Sequence, residues 1–448
     1  MTNPSILWFR QDLRLADNPA LTAAIEQGAI VPVYILDDTT PGDNAIGGAG
    51  RWWLHHSLKA LNEALGSKLI LRRGDSLTEL DRLMVETGAT HVHATRLYEQ
   101  WWQRIDAELS DRLTLHDGNQ LAPPATIRTG TGGRYKIFTP YWRALLDKMP
   151  PPKPLPVPDT IDCVAAESDK LDDWNLLPTK PDWSNGFDVW TPGEEGAKTA
   201  FRTFLDVVGD YDRARNMPSE AGTSRLSPHL HFGEISPATV WHHVSKKVGT
   251  KGEPYLREIG WRDYAANTID QFPDYGTKSA RAEFDTLQWR DSEADFTAWT
   301  KGNTGYPIVD AGMRELWATG WMHNRVRMIA ASFLVKHLLI DWRRGERWFW
   351  DTLVDADYGS NAVNWQWTAG SGVDSNMFVR IMAPLSQSDK FAAGDYIRKW
   401  VPELAKLPDA VIHDPHGAGV APATYAKPLI GHREGRERAL AAYREGKA

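Results

Sequence analysis

Apolar and polar positions follow two regimes along this chain. Near the N-terminus, apolar runs of strand length stand at 5–9 (SILWF), 30–36 (IVPVYIL), 69–72 (LILR) and 91–95 (HVHAT). Between them, helical spacing appears at 18–27, 51–65 and 76–87. Strands alternating with helices predict parallel pairing and a doubly wound sheet, with ligands beyond the carboxyl ends of the strands. Those ends carry Arg10 to Arg14, Asp37-Asp38, Gly74-Asp75 and Thr95 to Glu99. From about Pro123 the pattern breaks. TGTGG at 129–133 reads as a flexible loop, 134–146 as one short helix starting after Pro140, and PPPKPLPVP at 150–158 as extended chain. From Glu194 the spacing is helical, at 194–207, 254–270, 294–300, 307–318, 327–340 and 344–354, with strand signals nearly absent. The expectation is α/β plus all-α: an α/β domain over 1–130, a linker over 131–193, and a helical domain over 194–448.

One stretch concentrates the chemistry. Gly320 to Asp341 begins with Trp321, His323, Asn324, Arg325, Arg327 and Met328 and ends almost wholly apolar. At 3.6 residues per turn Met328, Ser332, Val335 and Leu339 share a face, which predicts a buried helix whose first turn opens into a polar pocket. The alternative is a basic helix terminus that pairs with nearby acids. Three further clusters weigh on that choice. Tyr211 with Thr223 to Pro228 offers closely spaced hydroxyls and amides able to hold a phosphate, or an ordinary cap and turn. Glu258 to Asp263 offers an acid, a stacking Trp261, and an Arg262 one turn from Glu258, or simply an i,i+4 surface pair. Residues 355–384 read as a long loop without periodicity, unusual in a compact domain unless functional.

Composition narrows the classes. A chain of 448 residues implies two domains. Net charge −7 gives no global attraction to nucleic acid, so such binding needs a local basic patch. The single cysteine, Cys163, excludes an internal disulfide and fits a reducing cytoplasm, where the protein is expected as a monomer. The N-terminus lacks a signal-peptide pattern and no apolar run reaches membrane-spanning length. No G-x-G-x-x-G or P-loop is present. The 21 tryptophans are far above ordinary usage. Each is by default a core residue, but Trp is also readily oxidised, and several in series could carry an electron.

Taken together the clusters resemble the photolyase/cryptochrome family. LWFRQDLRLADNPAL at 7–21, GTSRLSPHL at 222–230, GNTGYPIVDAGMRELWATGWMHNRVRM at 302–328 and NAVNWQWTAGSGVDSNMFVRI at 361–381 carry the resemblance, which covers nearly the whole chain and is weakest over 100–195. It implies FAD in the helical domain, with Tyr211, Thr223, Ser224, Leu226 and Ser227 on its phosphates and ribityl chain. It also implies Asn361 at flavin N5, Arg327 and Asp355 beside the ring, and Asp357 at the ring's polar edge. Trp365, Trp342 and Trp289 match the family's photoreduction relay, in order from flavin to surface. The lesion pocket implied is that of the cyclobutane pyrimidine dimer enzymes, with Glu258, Trp261, Asn324 and Met328. The (6-4) enzymes need histidines where Asn324 and Met328 stand. Trp367 would border the dimer, and Arg215, Arg262, Arg325 and Arg380 would grip DNA phosphates. The alternative within the resemblance is a cryptochrome, a blue-light photoreceptor without repair. An antenna chromophore, a methenyltetrahydrofolate or a deazaflavin, is implied for the first domain. The Asn-Glu pair of folate-type relatives is absent at Tyr98 to Trp102, which leaves Glu99, Arg51 and Asp38 as its candidate contacts.

Overall fold

The computed structural model describes residues 3–375 and 378–445. Five parallel strands, β1 (Ser5–Phe9), β2 (Ile30–Leu36), β3 (Ile70–Arg73), β4 (His91–Thr95) and β5 (Leu113–His116), form one sheet in the order β3-β2-β1-β4-β5. The first four match the apolar runs. The fifth escapes the sequence pattern because it is a four-residue edge strand with only two apolar positions. Helices α1 (Pro19–Gln27), α2 (Gly48–Ala64), α3 (Ser76–Thr87) and α4 (Gln100–Leu109) cover the sheet. Strand β1 is buried at every position, as a central strand covered on both faces must be.

Strand order reverses between β1 and β4, so the crevice beyond their ends is the expected ligand site. Here the second half of the chain fills it. Leu13 N donates to Phe232 O at 3.0 Å, and the buried Arg14 guanidinium donates to Gly233 O at 2.8 Å and to Asn119 Oδ1 at 3.0 Å. Gly233 has φ +68°, and a Cβ there would strike the Gln11 carbonyl, so the two backbones meet only with glycine present.

Next comes α5 (Phe138–Leu146). It begins two residues before Pro140 rather than after it. Its first N–H goes to Asp374 Oδ2 at 2.7 Å, and the proline falls in the first turn, where a missing N–H costs nothing. Residues 151–192 are extended chain with short 3-10 turns. Then follow α6 (Glu194–Leu205), α7 (Tyr211–Ala214), α8 (Ser227–His231), α9 (Pro237–Val248), α10 (Glu253–Gln271), α11 (Glu293–Thr300), α12 (Pro307–Thr319), α13 (Asn324–Ser332), α14 (Trp342–Thr352) and α15 (Tyr358–Ala369). Four more helices complete the described chain.

Two sequence expectations give way here. The stretch after Gly320 is not one α-helix. It starts as α13 behind a His323 cap, then widens into a π turn over Phe333–His337, with Leu338 N bonded to Phe333 O at 3.0 Å. The turn buries all five side chains, including Lys336, whose Nζ reaches Phe378 O at 2.8 Å. Each fully buried Phe, Leu or Val in this segment contributes roughly 1.5–3 kcal/mol of transfer free energy. The supposed loop at 355–384 contains a helix, α15, over Tyr358–Ala369. Tyr358, Ala362, Trp365 and Ala369 have helical spacing and are buried, and the Asp357 cap and left-handed Gly370 mark its ends. Small residues between them mask the period.

Candidate active site

A cavity of about 430 Å³ lies inside the helical half, walled by α7, α8, α10, α13, α14 and α15. Its lining gathers residues from all four sequence clusters, so the polar first turn of α13 does open into a pocket.

One end is rich in hydroxyls. Tyr211, Thr223, Ser224, Leu226 and Ser227 line it with Tyr255, whose buried Oη has no partner among the described residues. Ser224 Oγ accepts Leu226 N at 3.2 Å, and Trp321 Nε1 donates to Ser227 Oγ at 3.4 Å. Arg225 was not singled out from sequence. Its guanidinium is sandwiched 4.7 Å from both Trp190 and Trp321, where burial lowers its pKa. It brings a weakly hydrated cation to an end otherwise lined by neutral groups.

In the middle, Arg327 makes a two-pronged bond to buried Asp355, at 3.1 and 2.8 Å, and its Nε donates to Met322 O at 2.7 Å. Asp357 caps α15 through Ser360 N at 2.7 Å. Burial pushes its carboxyl up, but the His231 ring 3.8 Å away, the charge of Arg262 and the Ser360 N–H outweigh that and hold it well below the usual range. Asn361 donates both amide hydrogens to Glu346, at 3.1 Å to its carbonyl and 2.8 Å to Oε1. Its Oδ1 is thus the polar atom left for a ligand. Burial raises Glu346 to about 7, against the opposing effects of Arg347 and the Asn361 bond. Glu346 was missed, although Trp342, Gly345, Glu346 and Phe349 mark the buried face of α14 at i, i+3, i+4 and i+7.

The same cavity is lined by Glu258, Trp261, Asn324, Met328 and Trp367. Glu258 does not pair with Arg262 one turn away. It is bonded to Arg215, while Arg262 donates to Leu230 O at 2.9 Å and Asn119 O at 3.3 Å. Those two carbonyls take the guanidinium expected at DNA phosphates. Trp261 stacks face to face on buried Phe138, with centroids 3.6 Å apart and planes 12° apart. Phe138 was not foreseen, since nothing in 134–146 marks it as facing α10. Arg325 lines the cavity, bonded to Asn216 Oδ1 and 3.7 Å from Met328 Sδ. Arg380 is exposed and outside the lining.

Of the three relay tryptophans, Trp365 lines the cavity, Trp342 is fully buried, and Trp289 is partly exposed. Ring contacts among the described residues join Trp365 to Phe349 at 5.0 Å and to Trp299 at 6.3 Å; none joins it to Trp342.

The proposed antenna contacts do not converge. Asp38 is engaged by Arg51, and by Arg73 at 3.0 Å, while Glu99 is buried near Asp357, beyond β4. A separate cleft of about 650 Å³ lies where the two halves meet. Ala45, Ile46 and Gly47 face Phe296, Arg344, Arg347, Trp348 and Trp350 across it.

The chain's likenesses agree with this geometry. A model described as "DNA photolyase" matches residues 5–159, and one described as "FAD binding domain of DNA photolyase" matches 255–445. The chain is 48% identical to a deoxyribodipyrimidine photo-lyase of Agrobacterium fabrum, covering 99% of this chain and 98% of that one. It is 35% identical to cryptochrome-1 of Arabidopsis thaliana, covering 97% of this chain and 69% of that one. Among solved structures it superposes on a bacterial class III photolyase from Agrobacterium tumefaciens with TM-score 0.94, 47% identity, and coverage of 100% and 98%. By matched domains, full-length identity and fold, this chain belongs to the photolyase/cryptochrome family.

Proposed function

We propose that this protein repairs cyclobutane pyrimidine dimers in DNA with light. The observation that carries the reading is a single cavity. Glu258, Trp261, Asn324, Met328 and Trp367 open onto the same space as Asn361 and the Arg327–Asp355 pair. FAD fits that space on chemical grounds. The partnerless Tyr255 Oη, the hydroxyls of Thr223, Ser224 and Ser227, and the Arg225 cation suit its phosphates and ribityl chain. When bound in its reduced form, FAD supplies an electron to the dimer on absorbing blue light and recovers it after the ring opens, so no net redox change results.

The protein's part is binding and electrostatics. Arg327 and Asp355 fix each other beside the ring position. The bonds to Glu346 leave the Asn361 carbonyl free to accept, which would suit a flavin protonated at N5. At the lesion end, the dimer leaves the stack more readily than an intact step. Trp261, backed by Phe138, offers a rigid flat wall, and Trp367 borders the flipped bases. Glu258 addresses the carbonyl and N–H edge of the pyrimidines, where charge develops. Arg215, Arg325 and Arg380 would meet flanking phosphates, and selectivity would come from pocket shape rather than base sequence.

A sensor needs the flavin and a tryptophan relay but not an acid, a methionine and two tryptophans lining the same cavity. That difference favours repair over the cryptochrome reading. A second chromophore is assigned to the 650 Å³ cleft, where Trp348 and Trp350 can face a planar ring and Arg344 and Arg347 an anionic tail. The deciding experiment illuminates the flavin-reduced protein with a dimer-containing oligonucleotide. Thymine absorbance should return; no recovery with reduced flavin bound rejects repair.

A further inference from the structure

We infer that Arg215 has two alternative partners, the Glu258 carboxylate and a DNA phosphate, and that DNA docking moves it from one to the other while Glu258 takes up a proton. The inference rests on the lesion-binding reading above.

The geometry starts from crowding. Glu258, on α10, lines the cavity beside Trp261, and Arg215 follows α7 and reaches it. Their side chains are bonded, and each keeps about a quarter of its surface open, 24% for Arg215 and 25% for Glu258. The pair therefore borders the open cavity rather than the packed core. The other charged groups facing Glu258 are Arg257 on its own helix and Arg325 on α13. Tyr211 and Tyr255 lie near, and burial holds both neutral. Arg325 is already committed to Asn216 and Met328 and lies 4.6 Å from the centre of the Phe391 ring. Arg257 is exposed and lies over Phe138. Arg215 is thus the cation that neutralises Glu258.

Two opposing effects act on the Glu258 carboxyl. Burial raises its carboxyl and Arg215, chiefly, works against that rise. A phosphate at the mouth competes for the same guanidinium, and Arg binds phosphate and carboxylate with the same two-pronged geometry. Once Arg215 turns outward, the carboxylate stands desolvated, with an uncharged dimer against it. Its charged form is then penalised and a solvent proton binds. The neutral acid gains an O–H donor, which a pyrimidine carbonyl can accept and a carboxylate cannot offer. Glu258 thus becomes a donor only when DNA is seated.

Calorimetric titration of the flavin-loaded protein in the dark tests this. A single-stranded oligonucleotide with one thymine dimer is titrated in two buffers of different ionisation enthalpy. The expected result is net uptake of a fraction of a proton, up to one, per dimer, with affinity falling as pH rises. Glu258→Gln should abolish the uptake. Arg215→Ala should also abolish it, because Glu258 is then protonated before DNA arrives. The same variant should lower the slope of log affinity against log salt by about one. Binding with no proton exchange in the unmodified protein, uptake that persists in Glu258→Gln, or an unchanged salt slope in Arg215→Ala each overturns the exchange while leaving the repair reading intact. Failure of the dimer strand to bind at all removes the repair reading and this inference together.

Discussion

Among single residues, Glu346 bears most directly on the cofactor side of the cavity. It holds both hydrogens of Asn361, and burial raises its carboxyl from 4.5 to about 7. The folded protein therefore binds this proton more tightly than the unfolded chain does. The stabilisation is complete below about 4.5, is lost as pH rises toward about 7, and is absent above. Denaturant midpoints measured across that window should fall with rising pH, by on the order of 3 kcal/mol for this group. Glu346→Gln should flatten that part of the profile; an unaltered slope would place the titration elsewhere. Phe138 backs Trp261 at the proposed lesion pocket. A stacked aromatic pair is worth roughly 1 kcal/mol beyond its buried area. Phe138→Leu should weaken dimer-strand binding about five-fold at unchanged flavin content, and Phe138→Tyr should restore it. Equal loss of flavin would instead mark Phe138 as a packing residue. Asn361 was legible from its motif. Glu346 and Phe138 were not, because each acts through a neighbour that only the tertiary fold supplies.

Helices and strands were legible where one period ran unbroken. Four strands and α1 to α3 followed the pattern. The failures have physical causes. A four-residue edge strand carries too few apolar positions, α15 hides its period among small residues, and a π turn violates the 3.6 repeat that the pattern assumes. The meeting of α14 with α15 yields a direct test. A Cβ on Gly345 would collide with the Trp365 ring and come within 2.6 Å of Leu334 Cδ2. Gly345→Ala should cost roughly 1–3 kcal/mol and push Trp365 into the cavity, which lowers flavin retention more than it lowers helix content by circular dichroism. The proposed relay would be a property of elements too. Trp342→Phe should block photoreduction of oxidised flavin yet leave repair by chemically reduced protein intact. Normal photoreduction in that variant would move the route to Trp299, the tryptophan in ring contact with Trp365.

For the molecule as a whole, the two-part plan was legible and the closeness of the parts was not. Glu234 accepts Trp53 Nε1 at 3.0 Å, and Glu194 accepts Leu15 N at 2.7 Å. Sequence spacing gives no hint of such pairings across nearly two hundred positions. Gly233→Ala should force these halves apart, at a cost of a few kcal/mol, and a thermal melt should register it as an earlier transition accompanied by flavin release. An unshifted melt would show that the junction yields. Gly47 belongs to the same junction: a Cβ there would strike Trp350 O, and Trp350 Nε1 donates to Ala45 O at 2.9 Å. Resonance transfer between two dyes depends on their separation and on the angle between their transition dipoles. Were an antenna bound in the cleft proposed above and a flavin in the helical cavity, both quantities would be set when the chain folds. The molecule is then a fixed optical bench, whose harvesting yield should hold steady against solvent viscosity until the junction itself melts.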